Sequence, residues 1–266
     1  RLLRLRPRAH SPDRGGCAKP TALGVTSLLA PAEPRVVGDL ALEIDPDEVL
    51  RFQGYKRGID VPGPDVMALF DEALALGRRL LVPRVVVRWL EVTRAREGAL
   101  EIDGTVLLIP EIGRLWGPVE YVTAAVATIG EALERRVAEL WEARELPLAS
   151  MLDSVGSGAV ESLAEYVNDL LCQEGIQRDL KVTNRISPGY GAWDVAEQRK
   201  LFRLCPGQAI GVTLNEACFM TPQKTISLLV GAGAAARVDH YFSQCARCWM
   251  ATCAYRRVPA RRTVHR

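Results

Sequence analysis

The spacing of hydrophobic positions changes several times along this chain, and each change marks an element. Asp45-Pro46-Asp47-Glu48 sets a capping carboxylate, a first-turn proline and two acids ahead of Val49-Leu50, which is how a helix begins. Val66, Leu69, Phe70, Ala73, Leu74 and Leu80 recur near a 3.6-residue period, so residues 65–81 read as an amphipathic helix that ends before Pro83. The β-branched run from Val85 to Val92 reads as a strand. Leu100-Glu101-Ile102 and Val106-Leu107-Leu108-Ile109 flank Asp103-Gly104, a dipeptide suited to a tight hairpin turn. An antiparallel sheet follows from that hairpin.

Beyond the hairpin, residues 119–144 and 148–173 read as two long helices that meet across Pro147 and pack on one face of the sheet. A loop over 184–191, a short helix over 195–204 and strands over 210–220 and 225–230 complete the pattern, with no periodic core element beyond Val230. The predicted fold class is α+β, an antiparallel twisted sheet packed with long helices, plus a short Cys-rich C-terminal appendage. Residues 36–231 would form the folded domain and 232–266 a basic Cys-rich tail. Residues 1–35 carry Arg1, Arg4, Arg6, Arg8 and Arg14 among Pro and Gly without a sustained period, and are expected to be disordered.

Composition narrows the class. The 266 residues are 48% hydrophobic with a formal net charge of +2, enough apolar material for one sizeable core. The near-neutral balance argues against a general nucleic-acid binder, and no apolar run approaches the roughly 20 residues of a membrane span. Seven cysteines, an odd number unevenly placed, point to a reducing cytoplasm rather than a disulfide framework.

The sharpest local signal is Asn184-Arg185-Ile186-Ser187-Pro188-Gly189-Tyr190-Gly191. Pro188 fixes its own φ and pushes Ser187 toward extended geometry, while Gly189 permits a tight turn, so the stretch reads as a rigid loop. Arg185 offers a planar fork of donors suited to a carboxylate. In residues 210–220, Ile210, Val212, Leu214, Glu216, Cys218 and Met220 would share one face at period two. Glu216 would then interrupt an apolar face, either as a buried ion pair with Arg185 or Lys224 or as part of a pocket. Glu161 and Glu165, four apart, share a helix face. Gly156-Ser157-Gly158 lacks the third glycine of a dinucleotide fingerprint, since position 161 is Glu161, and reads instead as a close helix–helix approach.

The loop, the Leu214-Asn215-Glu216-Ala217-Cys218-Phe219-Met220-Thr221-Pro222 stretch and the Ser-containing exit through Gln223-Lys224-Thr225-Ile226-Ser227 together resemble the activation domain of cobalamin-dependent methionine synthase. The resemblance covers residues of about 40 to 230 and takes in Thr128-Ile129-Gly130 and the helix of Glu161. Asn215 and Ala217 stand where that family has Thr and Ser, and the paired aromatics that close the site in its long members have no counterpart here. The resemblance implies a domain that binds S-adenosylmethionine (SAM) and serves reductive methylation of cob(II)alamin carried by a corrinoid-binding methyltransferase, with an electron donor such as flavodoxin or ferredoxin.

By the same resemblance, Arg185 would hold the SAM carboxylate and Glu161 its ammonium group. Ser187, Pro188 and Gly189 would line its polar edges, and Tyr190 would stand between sulfonium and corrin as the residue nearest the chemistry. Glu216, Lys224 and Ser227 complete the implied binding set. A non-catalytic corrinoid-docking module is the rival expectation. Cys245, Cys248 and Cys253 lie within nine residues and form a candidate metal site for a [4Fe–4S] cluster or zinc, with His240 or Cys218 as a fourth ligand or that position open, or else are free thiols.

Overall fold

The structure is a computed structural model that describes residues 33–238 apart from 39, 57 and 58. In chain order the elements are β1 (Arg35–Val37), α1 (Pro46–Phe52), α2 (Pro64–Leu80), β2 (Arg84–Arg96), β3 (Ala99–Ile102), β4 (Thr105–Leu108), α3 (Ile112–Trp116), β5 (Tyr121–Thr128), α4 (Ala132–Glu142), α5 (Leu146–Ile176), β6 (Lys181–Val182), α6 (Gln198–Leu204), β7 (Thr213–Leu214), β8 (Met220–Thr221) and β9 (Thr225–Gly233). Short 3₁₀ turns at Val195–Glu197 and Gly207–Ile210 flank α6. One antiparallel sheet runs in the order β4-β3-β2-β5-β9-β6, with β1 beside the first half of β2, and β7-β8 is a separate hairpin.

Local chemistry explains the boundaries. The Asp45 carboxylate accepts the Asp47 N–H at 2.9 Å and caps α1. Asp103 and Gly104, with φ of 49° and 68°, are the two left-handed centres of the β3–β4 turn. Both features match the sequence reading.

Two elements differ from it. Residues 121–128 form β5, the strand between β2 and β9, where a helix was expected; Tyr121 to Thr128 pair with Glu91 to Arg84 on one side and with Ala232 to Thr225 on the other. Val122 to Thr128 are all buried, and a strand covered on both faces shows a continuous apolar run that cannot be told from a buried helix by period. Gly130, at φ 82°, then turns the chain into α4. Pro147 lies in the first turn of α5, where its missing N–H is not needed.

The expected strand over 210–220 is also absent. Its place is taken by the 3₁₀ turn ending at Ile210, by Gly211 in the left-handed region, and by the β7–β8 hairpin. The Asn215 side chain accepts the Phe219 N–H at 2.9 Å, and the Asn215 carbonyl accepts the Cys218 N–H at 3.0 Å. A side chain that closes a turn in this way competes with an extended ladder.

The sheet carries a core on each face. Val85, Val87, Trp89, Ala125, Ile226, Leu228 and Val230 meet α1, α2, α4 and α5 on one side. Val86, Leu90, Val122, Val126 and Leu229 meet Trp116, Trp193, Phe202 and the α6 region on the other. The helix α5 crosses the first face closely because Gly156 and Gly158 leave room. A Cβ at Gly156 would lie 2.7 Å from Leu133 Cδ2, and one at Gly158 would lie 2.9 Å from Val49 Cγ2. The Gly-Ser-Gly stretch is thus a packing device, as its spacing indicated. At the far end, β9 runs to Gly233 and Ala236 is buried, so the core extends past Val230; Gly231, Ala232 and Gly233 carry too little side chain to show a period.

Candidate functional site

The helix α5 presents Asp153, Ser157, Glu161, Glu165 and Asp169 at intervals of four, one row along its surface. Facing that row is the chain that follows β6. It runs along β9 through Thr183, whose N–H donates to Gly231 O at 2.9 Å, and through Ile186, which exchanges bonds of 2.9 and 2.8 Å with Leu229. Ile186 packs in the core beside α6, so alternation turns the preceding Arg185 toward α5.

There the Arg185 Nη2 donates to Glu161 Oε2 at 3.0 Å and to Glu165 Oε1 at 2.9 Å. The Arg185 side chain is 12% exposed, that of Glu161 21% and that of Glu165 58%. Burial alone would lower the proton affinity of Arg185, but Glu165 and Glu161 outweigh it and the guanidinium is held more firmly charged than usual. Asp169 moves the other way: partial desolvation, then the neighbouring Glu165 charge, raise its carboxyl. Around Arg185, carboxylates therefore outnumber the cation they face among the described residues.

After Ile186 the loop turns as its composition predicts. The Tyr190 N–H donates to Ser187 O at 3.2 Å across Pro188 and Gly189, and Gly189 takes φ 86°, which is a type II turn. The Gly189 N–H donates to Trp193 O at 2.9 Å and the Trp193 N–H to Tyr190 O at 3.2 Å, closing the loop on itself. Ser187 and Pro188 are buried beneath it, and the Ser187 Oγ has no hydrogen-bond partner among the described residues. Tyr190 stands 49% exposed at the tip.

The remaining sequence candidates are placed differently. Lys224 meets α5 one turn before Glu161, its Nζ 2.8 Å from Asp153 Oδ1 and donating to Ser157 Oγ at 2.9 Å. Its stem passes over Gly156, where a Cβ would lie 3.2 Å from Lys224 Cε. Ser227 is buried on the opposite face of the sheet and donates to Gln198 Oε1 at 2.9 Å. Glu216 is exposed on the β7–β8 turn, and Arg199 Nη2 donates to its backbone carbonyl. The apolar face it was expected to interrupt does not exist, and Arg185 and Lys224 pair with acids on α5 instead.

Among the described residues no group of three or more His, Cys, Asp or Glu could hold a metal ion. Cys245, Cys248, Cys253 and His240 lie outside them; Cys218 is a free buried thiol. No described helix is long and apolar enough to cross a membrane. Sequence reasoning undervalued Glu165, although the spacing of four along Asp153, Ser157, Glu161 and Glu165 was visible.

The family model for the vitamin B12 dependent methionine synthase activation domain matches residues 116–248, half of the chain. Among solved structures, the crystal structure of the MetH reactivation domain bound to AdoHcy superposes with a TM-score of 0.62 at 18% identity, covering 83% of this chain and 84% of that one. Sequence comparison with curated proteins returns no match. The matched span holds β5, β9, α5 and the whole Arg185 loop, the parts that build the site, and the superposition shows the same fold. This chain belongs to the activation-domain family of the vitamin B12 dependent methionine synthases.

Proposed function

We propose that this chain binds SAM between α5 and the Arg185 loop and presents it to a cobalamin held by a corrinoid-binding partner, for reductive methylation of the cobalt. The observation that carries the reading is the Arg185 guanidinium set against Glu161 and Glu165 at 3.0 and 2.9 Å. The amino-acid end of SAM is a zwitterion, and a partly buried site that takes it needs one fixed positive and one fixed negative group a few ångströms apart. Arg185 and Glu161 supply them. The unpartnered Ser187 Oγ adds a buried polar atom with capacity to spare, as a polar ligand edge requires. The solved relative of the same fold is described as bound to AdoHcy, the demethylated form of SAM.

Bound there, SAM would supply the methyl group, and the accepting cobalt and the one-electron donor would come from elsewhere. The work of this chain is then positioning. Arg185 orients the carboxylate, Glu161 the ammonium group, and the closed turn of Ser187-Pro188-Gly189 holds the loop backbone against the ligand at little entropic cost. Tyr190, half-exposed at the tip, is the residue of this set turned to an incoming partner.

Calorimetry with SAM tests the reading. Arg185→Ala should weaken binding by about 1.5 to 3 kcal/mol, roughly ten- to a hundredfold, the scale of a charge-assisted hydrogen bond. Arg185→Lys should recover little of it, because an ammonium lacks the planar fork. Equal affinity for the parent and Arg185→Ala would place the ligand elsewhere.

A further inference from the structure

The same Nη2 atom that a ligand carboxylate would engage is already bonded to two carboxylates of the protein. They are not equivalent. The Glu161 side chain is 21% exposed and Glu165 58%, so Glu165 is the partner that water can most readily take over. One turn further along α5, Asp169 adds a third carboxyl beside Glu165, and like charges at that spacing repel. A ligand carboxylate that takes this Nη2 edge therefore exchanges with one of the two protein carboxylates.

We infer that Glu165 is the displaceable rival of the ligand carboxylate for Arg185, and thereby a specificity-determining residue of the site. The inference rests on the SAM-binding reading above and goes past it, because it gives the two glutamates opposite effects. Glu161 stays and meets the ammonium group that arrives with the ligand. Glu165 swings to solvent, with the loss of its bond to Arg185 charged against the ligand's affinity. A ligand carrying a carboxylate without an ammonium group would displace Glu165 and bring no cation to Glu161. A zwitterion satisfies both positions, so the arrangement selects amino-acid-bearing ligands over simple acids of the same size.

The test is calorimetry of S-adenosylhomocysteine, which carries no net charge, and of 5′-methylthioadenosine, which lacks the amino-acid end, against the full chain. Glu165→Gln should bind S-adenosylhomocysteine about two- to fivefold more tightly than the parent, the scale of an exposed ion pair removed from the ligand-free state. Glu161→Gln should bind it more weakly, and neither variant should change the binding of 5′-methylthioadenosine. Circular dichroism confirms that both variants fold; Glu161→Gln serves as a second variant sharing the same arginine. Parent binding with Glu165→Gln equal or weaker overturns the rival role alone. A parent that does not bind S-adenosylhomocysteine overturns the proposed function and this inference together.

Discussion

A guanidinium 12% exposed to water loses much of its hydration, and Arg185 is tolerated because two carboxylates replace what it loses. The cost falls on its neighbours. Asp169 is raised by desolvation and then by Glu165, so its ionised form is less stable in the folded chain than in the unfolded one. With a folded value above the unfolded one, that penalty is full near pH 7 and fades as the pH falls toward the ordinary carboxylate range. Asp169→Asn should accordingly raise the melting temperature at neutral pH and lose the advantage near pH 4, which thermal scans at the two pH values would show. A second residue-scale test concerns Cys205, whose thiol is pushed up to about 12, chiefly by burial. It is packed in the core with its Sγ toward Val86 O, and only a thiolate reacts readily. Alkylation followed by peptide mass spectrometry should leave Cys205 unlabelled in native protein at pH 8 and label it on unfolding. Labelling of the native thiol at a rate near that of Cys172, which is half-buried, would show that the α6 region opens.

At this scale the turn after Arg185 was legible, since Pro188 and Gly189 shape it locally, whereas the partners of Arg185 depend on β9 and α5. Glu216 was not. Its selection rested on a period-two face over 210–220, and a single Asn side chain that closes a turn removed that face.

At the scale of elements, the helix α5 was recognisable from its length and its glycines, but β5 was not, because Ala124, Ala125 and Ala127 favour helix locally and only the flanking β2 and β9 make them strand. Partners distant in sequence decide such a segment. Close approach elsewhere depends on absent side chains: a Cβ at Gly231 would lie 2.7 Å from the Trp116 ring and 2.9 Å from Val119 Cγ1. Trp116 is buried and its ring cannot bend aside, so Gly231→Ala should destabilise the fold by about 1 to 3 kcal/mol, as overpacked cores do. Urea denaturation would measure it, and an unchanged midpoint would mean that α3 shifts freely on the sheet.

For the whole molecule, two cores share one sheet and make a single unit of the described residues, and contacts of single residues tie the chain after β9 to it. The Arg237 N–H donates to Trp116 O at 2.7 Å and its Nη1 to Arg114 O at 2.9 Å, while Ala236 is buried against the same core. A fragment of residues 33–238 should unfold cooperatively, and one ending at 231 should melt lower because it loses the end of β9 as well. Within the unit, the site depends on long-range order. Glu161 and Arg185 are 24 residues apart, and they meet because β9, later in the chain than both, holds the Arg185 loop along its edge beside α5. The most direct measurement is a calorimetric titration of the unaltered chain with S-adenosylhomocysteine. One ligand bound per chain, with affinity lost in Arg185→Ala, is the predicted result; no heat of binding over a micromolar to millimolar range would contradict the account.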